Sequence, residues 1–172
     1  MNIYPVAAAP NRGAAIALVK NTKQNTPTVL IDDREKLPLV FHRLPSKKTR
    51  LRVGDYSLLG VENFIIERKR YDDFVRSISG TRRAPFFDNL KRMRDGYSFA
   101  RLIIIGSPAF KLKVHAMAKL RNKGRIHISQ TCIDGTLEAI QKHFFPVVQV
   151  DTAEQAATMI EQWALDFHSH HE

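Results

Sequence analysis

Short apolar runs alternate with polar segments along the chain, and five of these runs have the length and composition of β-strands. They are rich in Val, Ile, Leu and Phe and are bounded by Gly, Pro, Asn or Asp, which is typical of strands. The predicted strands cover residues 28–31, 53–59, 64–69, 100–106 and 146–150. The fourth run (ARLIIIG) is almost continuously apolar, a pattern typical of a strand buried on both faces. The second and third runs are joined by a turn at Gly60, so they predict a hairpin at the centre of a sheet.

Apolar residues spaced three or four positions apart predict helices between these strands. Asp, Thr or Pro stands at or near the start of each, where such residues suit a helix N-terminus. The predicted helices begin at Tyr71, Pro85, Thr131 and Thr152, and a shorter helix covers residues 37–41. Residues 81–84 (TRRA) are expected to form a mobile basic loop. Because strands alternate with helices, the sequence predicts an α/β domain.

The 172 residues fit one domain of ordinary size. We expect a flexible arm over residues 1–26, a folded domain over 27–167 and a disordered tail over 168–172. The single Cys132 excludes an intrachain disulfide framework and a cysteine-based zinc site, which points to a reducing, intracellular compartment. The apolar neighbour Ile133 indicates that Cys132 is a small residue of the core. No run approaches the ~20 apolar residues that cross a bilayer, so no membrane partner is expected.

The charge of the chain is strongly positive. It has 27 Lys and Arg against 17 Asp and Glu, a formal net charge of +10, which favours nucleic acid or an acidic membrane surface as partner. No acid occurs between Gly96 and Ile133, whereas an ordinary solvated face mixes both signs. Within this stretch the candidate DNA-binding residues are Lys119, Arg121, Lys123 and Arg125. A merely solvated face is the alternative for this segment.

Acidic and basic residues also stand together at strand ends. Gly54 and Asp55 interrupt the second predicted strand, and the third ends in Glu67-Arg68-Lys69. Side chains alternate along a strand, so Glu67 and Lys69 point to one face and Arg68 to the other. Two carboxylates can hold a hard divalent cation while an ammonium orients water or offsets charge on a phosphate, as in a metal-dependent phosphodiesterase. A structural salt-bridge cluster is the alternative.

Three motifs follow one another in this part of the chain. Residues 31–35 read IDDRE, residues 53–56 read VGDY and residues 66–73 read IERKRYDD. Together they resemble the nuclease domain of the XPF family of structure-specific endonucleases, whose pattern is VDxRE, then GDY, then ERKxxxD. The resemblance covers about residues 29–167, which is most of the predicted domain.

This resemblance implies a restriction-endonuclease-like core, a central mixed sheet flanked by helices, that cuts one DNA strand near a junction of duplex and single strand. It implies that Asp55, Glu67 and the backbone carbonyl of Arg68 bind Mg²⁺ or Mn²⁺. Asp32 would be a further acid of the metal site. Lys69 would position or polarise the attacking water, and hydrolysis would leave a 3′-hydroxyl and a 5′-phosphate.

Two more motif residues receive roles from the resemblance. Arg34 is expected to clamp a phosphate, and Asp73 to support Arg68 or Lys69 from outside the metal site. A negative charge in the first turn of a helix is the alternative role of Asp73.

The sequence departs from the family pattern in two places. Residues 81–85 (TRRAP) intervene where the family continues towards a Gln, and Asn89 stands in the region of that Gln. We therefore expect Arg82 or Arg83 to contact phosphate there. Only 22 residues follow Val150, too few for the tandem helix-hairpin-helix module with which many family members grip DNA and dimerise. Junction preference would then come from this domain or from a partner.

Taken together, the motifs predict a metal-dependent DNA endonuclease that acts near branch or flap junctions, in DNA repair or recombination. A non-catalytic DNA-binding subunit of the same fold, paired with an active nuclease, is the alternative. Converging carboxylates argue against that alternative because they repel phosphate. The resemblance also implies a homodimer or heterodimer through this domain, located with DNA in the cytoplasm of a prokaryotic or phage-infected cell or in a nucleus. An RNA-binding module is disfavoured because no aromatic-rich RNP-like motif is present.

Overall fold

The computed structural model describes residues 26–121 and 128–169, without the side chains of residues 118–121. Within these residues six strands form one mixed sheet in the order β2-β1-β3-β4-β5-β6. The strands are β1 (Val29–Asp32), β2 (Ser46–Thr49), β3 (Tyr56–Leu58), β4 (Val61–Arg70), β5 (Phe99–Ile105) and β6 (Val147–Val150). β1 is parallel to β2 and antiparallel to β3, β3 and β4 form an antiparallel hairpin, and β4, β5 and β6 are parallel. The predicted central hairpin is confirmed.

Helices cover both faces of the sheet. They are α1 (Tyr71–Ser77), α2 (Arg83–Gly96), α3 (Pro108–Arg121), α4 (Gln130–His143) and α5 (Ala153–Ser169). On one face Ile65 and Leu102 pack with residues of α1, α2 and α4. On the other face Phe64 and Ile103 pack with residues of α5. This alternation buries both sides of β4 and β5, and it confirms the predicted α/β class with a mixed sheet flanked by helices.

Residues 37–41 form no helix, so the prediction of a short helix is wrong there. The N–H of Leu39 donates to the hydroxyl of Tyr56 at 3.0 Å. The N–H groups of residues 42–44 donate to Oε1 of Glu161 on α5 at distances of 2.6 to 3.2 Å. Side chains distant in the sequence thus accept hydrogen bonds from backbone N–H groups in and just after this segment.

The predicted mobile loop at residues 81–84 is also wrong. Gly80–Arg82 form a single 3₁₀ turn that leads directly into α2 at Arg83. The guanidinium of Arg83 donates to the carbonyl of Ile78 at 3.0 Å and lies 4.8 Å from the ring centre of Phe87. Pro85 lies in the first turn of α2, where a missing N–H costs little.

Helix α3 was not anticipated from the apolar pattern. Its sequence places large apolar side chains in solvent, with Leu112 72% and Met117 47% exposed, so no clear apolar stripe marks the helix. Its N-terminus is set by Ser107, whose hydroxyl accepts a hydrogen bond from the N–H of Phe110 at 3.2 Å.

The start of α4 differs from its prediction in two respects. The cap is Ser129, whose Oγ accepts the N–H of Cys132 at 3.2 Å, rather than Thr131. Cys132 is exposed, which corrects its assignment to the core. The neighbouring Ile133 is the residue that the core buries completely.

The described residues include a small part of each predicted terminal segment. Of the predicted arm over residues 1–26, all but Thr26 lies outside the described residues, as do residues 170–172 of the predicted tail. Helix α5 continues to Ser169 and so includes His168, which the sequence assigned to the tail. No helix in the described parts of the chain is long and apolar enough to span a membrane.

Candidate metal and phosphate site

Strand β4 directs its charged C-terminal residues alternately to the two faces of the sheet, as its two-residue period requires. Nζ of Lys69 lies 3.3 Å from Oε1 of Glu67 and 5.1 Å from the ring centre of Phe86. Arg68 points the other way, and its guanidinium lies 2.9 Å from Oε1 of Glu35. The predicted pairing of Glu67 with Lys69 on one face is therefore found. The role of Glu35 as partner of Arg68 was not predicted.

Gly54 brings Asp55 against the end of β4. Gly54 has a positive φ of 71°, and an added Cβ would stand 2.7 Å from Cγ1 of Ile65. Only glycine fits such a close approach in this conformation without strain. Asp55 then donates its N–H to the carbonyl of Ile66 at 2.8 Å, and its Oδ2 accepts the N–H of Arg68 at 2.7 Å. The tight bend thus fixes the carboxylate of Asp55 beside the strand that carries Glu67.

Burial makes both carboxylates reluctant to ionise. Burial raises the pKa of Asp55 to about 8, and the negative charge of Glu67 adds to the rise, while the hydrogen bond from Arg68 opposes it. Burial also raises the pKa of Glu67, against the attraction of Lys69 and a hydrogen bond from Asn89. Removing carboxylates from water is costly unless a positive charge compensates them. A divalent cation between the two would supply that compensation.

Helix α2 contributes Asn89 to this centre. Nδ2 of Asn89 donates to Oε2 of Glu67 at 3.1 Å, so Asn89 and Lys69 hold the two carboxylate oxygens of Glu67. Oδ1 of Asn89 accepts a hydrogen bond of 3.3 Å from the guanidinium of Arg92, one turn further along α2. The position of Asn89 in the region of the Gln of the sequence pattern was the signal for this contact, although no role was assigned to it.

Asp32 has a different environment from Asp55. Its Oδ1 accepts hydrogen bonds from the N–H and the guanidinium of Arg34, and its Oδ2 accepts from the guanidinium and from the N–H of Leu51, all at 2.7 to 2.9 Å. The side-chain hydrogen bond from Arg34 lowers the pKa of Asp32 to about 2, against the effect of burial. These four donors occupy the carboxylate and fix the half-exposed guanidinium of Arg34.

The other predicted site residues are only partly brought together. Asp73 lines the cleft from the first turn of α1 and pairs with Arg76, whereas Arg68 and Lys69 pair with glutamates. These contacts fit its alternative role as a helix N-terminal charge. Arg82 lies at the centre described here, but Arg83 is engaged by the contacts at the start of α2. The side chains of Lys119 and Arg121 and the whole of Lys123 and Arg125 lie outside what the structure describes.

These residues surround a cleft of about 660 Å³, which we call the central cleft. Its basic lining residues are Arg34, Lys36, Arg52, Arg68, Lys69, Arg70, Arg82 and Arg92. Its acidic lining residues are Asp32, Glu35, Asp55, Glu67 and Asp73. Because most of these acids are paired with arginine or lysine, the rim has an excess of positive charge that suits a polyanion. Lys36, Arg52, Arg70 and Arg92 had not been assigned to the site from the sequence.

The donor set fits a divalent cation of the magnesium type. No cluster of three or more His, Cys, Asp or Glu side chains that could hold a metal occurs within residues 26–121 and 128–169. Mg²⁺ does not need such a cluster, because it is commonly bound through one or two carboxylates, with water and substrate phosphates as further ligands. Asp55 and Glu67 supply two hard oxygen donors whose ionisation a cation would favour.

Comparison with known proteins agrees with this geometry. The family model of the ERCC4 domain matches residues 31–162. The chain belongs to this family. The match covers all three motifs and most of the sheet, and it confirms the XPF-type nuclease domain that the motifs indicated. No curated protein sequence matches the chain significantly.

Solved structures give the same fold for this ERCC4 domain. XPF from Aeropyrum pernix is 23% identical, with a TM-score of 0.60 over 79% of this chain and 64% of that chain. XPF from the same organism in complex with DNA is 22% identical, with a TM-score of 0.61 over 83% of this chain and 66% of that chain. The ERCC4 domain thus spans slightly less than two thirds of the length of these XPF chains.

Proposed function

We propose that this ERCC4 domain is a metal-dependent DNA endonuclease that hydrolyses a phosphodiester bond near a branch or flap junction. The observation that carries the proposal is the pair of carboxyl groups with raised pKa values, those of buried Glu67 and half-buried Asp55, in a basic cleft with Lys69 beside them. A surface that only binds a polyanion has no use for two converging carboxyl groups, because their ionised forms weaken the attraction of phosphate. Membership of the family and the XPF structure in complex with DNA support DNA as the polyanion.

In this proposal Asp55, Glu67 and the carbonyl of Arg68 hold Mg²⁺ or Mn²⁺. The ion would act as a Lewis acid on the phosphate and would lower the pKa of water near it. Asn89 orients the carboxylate of Glu67 through its hydrogen bond of 3.1 Å. The ammonium of Lys69, 3.3 Å from Glu67, donates to the attacking water or to the phosphate and offsets the developing negative charge.

The remaining motif residues act at the phosphate or through their neighbours. Arg34 contacts a phosphate of the bound strand, and Asp32 positions its guanidinium through the paired hydrogen bonds. We no longer include Asp32 among the metal ligands, because its two oxygens already accept four hydrogen bonds. Arg82, which also lines the central cleft, contacts phosphate there in this proposal. Asp73 contributes to helix α1 rather than to catalysis.

A non-catalytic DNA-binding subunit remains the second candidate function. It is favoured by the small number of carboxylates at the centre, because no larger metal-holding cluster is present in the described ranges. Such a subunit would bind branched DNA and leave hydrolysis to a paired nuclease domain.

Cleavage assays distinguish the two functions. Flap, splayed-arm, four-way and fully duplex DNA are incubated with the protein in Mg²⁺, Mn²⁺ or EDTA, and products and binding are measured in parallel. The nuclease predicts metal-dependent cutting near the junction that Lys69→Ala reduces by at least about 100-fold while binding is kept. Lys142→Ala, which removes an exposed lysine of α4, serves as the matched control and should cut normally. A wild-type protein that binds these substrates but cuts none of them with either metal would establish the non-catalytic function.

A further inference from the structure

A second cleft adjoins the central cleft and has no role in the proposed reaction. Its volume is about 730 Å³, and we call it the side cleft. Arg52, Val53 and Arg92 line both clefts and form the wall between them. The far part of the side cleft is lined by Asn63 from β4 and by Tyr97 at the end of α2. The two clefts are therefore consecutive parts of one path over the surface.

The side cleft follows the axis of β4 away from the candidate metal site. The contact between Asn89 on α2 and Glu67 on β4 marks the position of the candidate metal site. The side cleft is lined by Asn63, four residues before Glu67 on β4, and by Gly96, seven residues after Asn89 on α2. These steps correspond to about 14 Å along an extended strand and about 10 Å along a helix. The spacing of nucleotides along a strand is 3.4 Å or somewhat more, so the side cleft lies only about two to four nucleotides from the reaction centre.

The wall between the clefts is suited to phosphate. Arg52 and Arg92 are exposed, and neither forms an ion pair with a carboxylate of the described residues. The guanidinium of Arg92 is held by its hydrogen bond to Asn89, so its direction is partly fixed. Two unneutralised guanidinium groups that line the same cleft are typical of a site for a phosphodiester.

The far part of the side cleft is suited to a nucleobase instead. Tyr97 is half-buried and packs against the hydrophobic core, so its ring is a rigid surface for stacking. Asn63 and Glu62 are exposed and offer amide and carboxylate groups to the edge of a base. Glu62 also repels phosphate from this end, whereas Asp95, the other acid that lines the side cleft, is paired with Arg94. This difference favours the orientation with phosphate at the arginines and the base beside Tyr97.

We propose that the side cleft binds an unpaired nucleotide of the DNA strand that continues from the scissile phosphate. Arg52 and Arg92 hold its phosphate, its base stacks on Tyr97, and Asn63 and Glu62 contact the base edge. Duplex DNA does not satisfy this site, because a paired base is stacked within the helix and does not expose its face. The site therefore selects the single-stranded arm of a branched substrate. This inference rests on the proposed placement of DNA in the central cleft.

Abasic scanning tests the stacking contact without relying on cleavage. Splayed-arm DNA with one abasic residue at successive positions of an unpaired arm is titrated with the protein in EDTA, and binding is followed by fluorescence anisotropy. We expect one position at which the missing base weakens binding at least about fivefold. In Tyr97→Leu, which keeps apolar bulk for the core, the same abasic substitution should have no further effect. Tyr97→Phe keeps the ring and should behave like the wild type.

The two arginines give a second measurement on the same substrates. Arg52→Ala and Arg92→Ala should each reduce the slope of log affinity against log salt by about 0.7, the value for one phosphate contact with a single strand. Lys142→Ala on α4 is the matched control and should leave the slope unchanged. Unaltered slopes in both arginine variants, or an abasic scan without any position that depends on Tyr97, would overturn the proposal.

The outcome is independent of whether the domain cuts DNA. A protein that shows the Tyr97-dependent abasic position but no metal-dependent cutting has the nucleotide site and lacks the nuclease function. A protein that cuts junctions without such a position is a nuclease in which the side cleft binds no base.

Discussion

Replacing Asp55 by Asn tests whether this carboxyl group destabilises the metal-free protein. In the metal-free protein burial and the charge of Glu67 raise the pKa of Asp55 from 3.8 to about 8. Below about pH 4 the carboxyl is protonated in both the folded and the unfolded chain, and it carries no penalty. As the pH rises from about 4 to about 8, the unfolded chain releases the proton while the folded chain retains it. The free energy of unfolding therefore falls across this window.

The size of the effect follows from the same pKa values. At 1.36 kcal/mol for each pH unit, the full window corresponds to about 5 kcal/mol, and entry of water and relaxation of the site reduce it. In the wild type Oδ2 of Asp55 accepts the N–H of Arg68 at 2.7 Å. An Asn at this position keeps an oxygen that can accept the same hydrogen bond. We therefore expect Asp55→Asn to raise the free energy of unfolding by about 2 kcal/mol at pH 8. The melting temperature should rise by about 4 to 8 °C.

Thermal denaturation in EDTA at pH 5 and pH 8 measures this change. The control is Asp88→Asn on α2, which neutralises an exposed aspartate and should change the melting temperature little at either pH. Mg²⁺ should reverse the order of stability, because the wild type gains about 2.7 kcal/mol at a metal concentration of 100 times the Kd and the variant does not. A variant as stable as the wild type at pH 8, or a gain of equal size at pH 5, would refute the argument from burial.

Three other substitutions test the framework around the site. Gly54→Ala should destabilise the fold by at least about 2 kcal/mol in urea unfolding and abolish cutting, because the position combines a positive φ with a close approach to β4. Gly60→Ala is its control, and it should cost only about 1 kcal/mol because Gly60 has a similar φ but open space around it. Glu161→Gln should cost about 1–3 kcal/mol in the same assay, since one buried carboxylate oxygen accepts three backbone N–H groups. Asp32→Asn should lower the free energy of unfolding by about 1–2 kcal/mol at pH 7. Because the hydrogen bond from Arg34 lowers the pKa of Asp32, this difference from wild type should persist to about pH 4 and vanish only as the pH falls through about 2. A loss of stability confined to pH above 6 would contradict this.

The fold was predictable where local pattern and tertiary structure agree. The hairpin of β3 and β4 and the strand β5 follow from apolar runs whose central residues are buried in the core on both faces of the sheet. The prediction of a helix failed at residues 37–41. Tyr56 and Glu161, about 17 and 118 residues away in the sequence, accept hydrogen bonds from backbone N–H groups in and just after this segment. Nothing in the local sequence of that segment specifies such partners. Helix α3 was missed for the opposite reason, because its exposed apolar residues obscure the helical period.

The candidate site shows the same limit more sharply. Two aspartates in neighbouring motifs have pKa values that are shifted in opposite directions. Asp32 and Asp55 both follow a short apolar or turn segment, and the resemblance of the motifs implied a role at the metal for both. Hydrogen bonds from Arg34 lower the pKa of Asp32 to about 2. Burial and the negative charge of Glu67 raise the pKa of Asp55 to about 8. A carboxylate already neutralised by a guanidinium has little to gain from a cation, while one that is buried and lacks such a partner has much to gain. Motif spacing identifies which acids meet, whereas their hydrogen-bond partners distinguish an acid that suits a cation from one that positions an arginine.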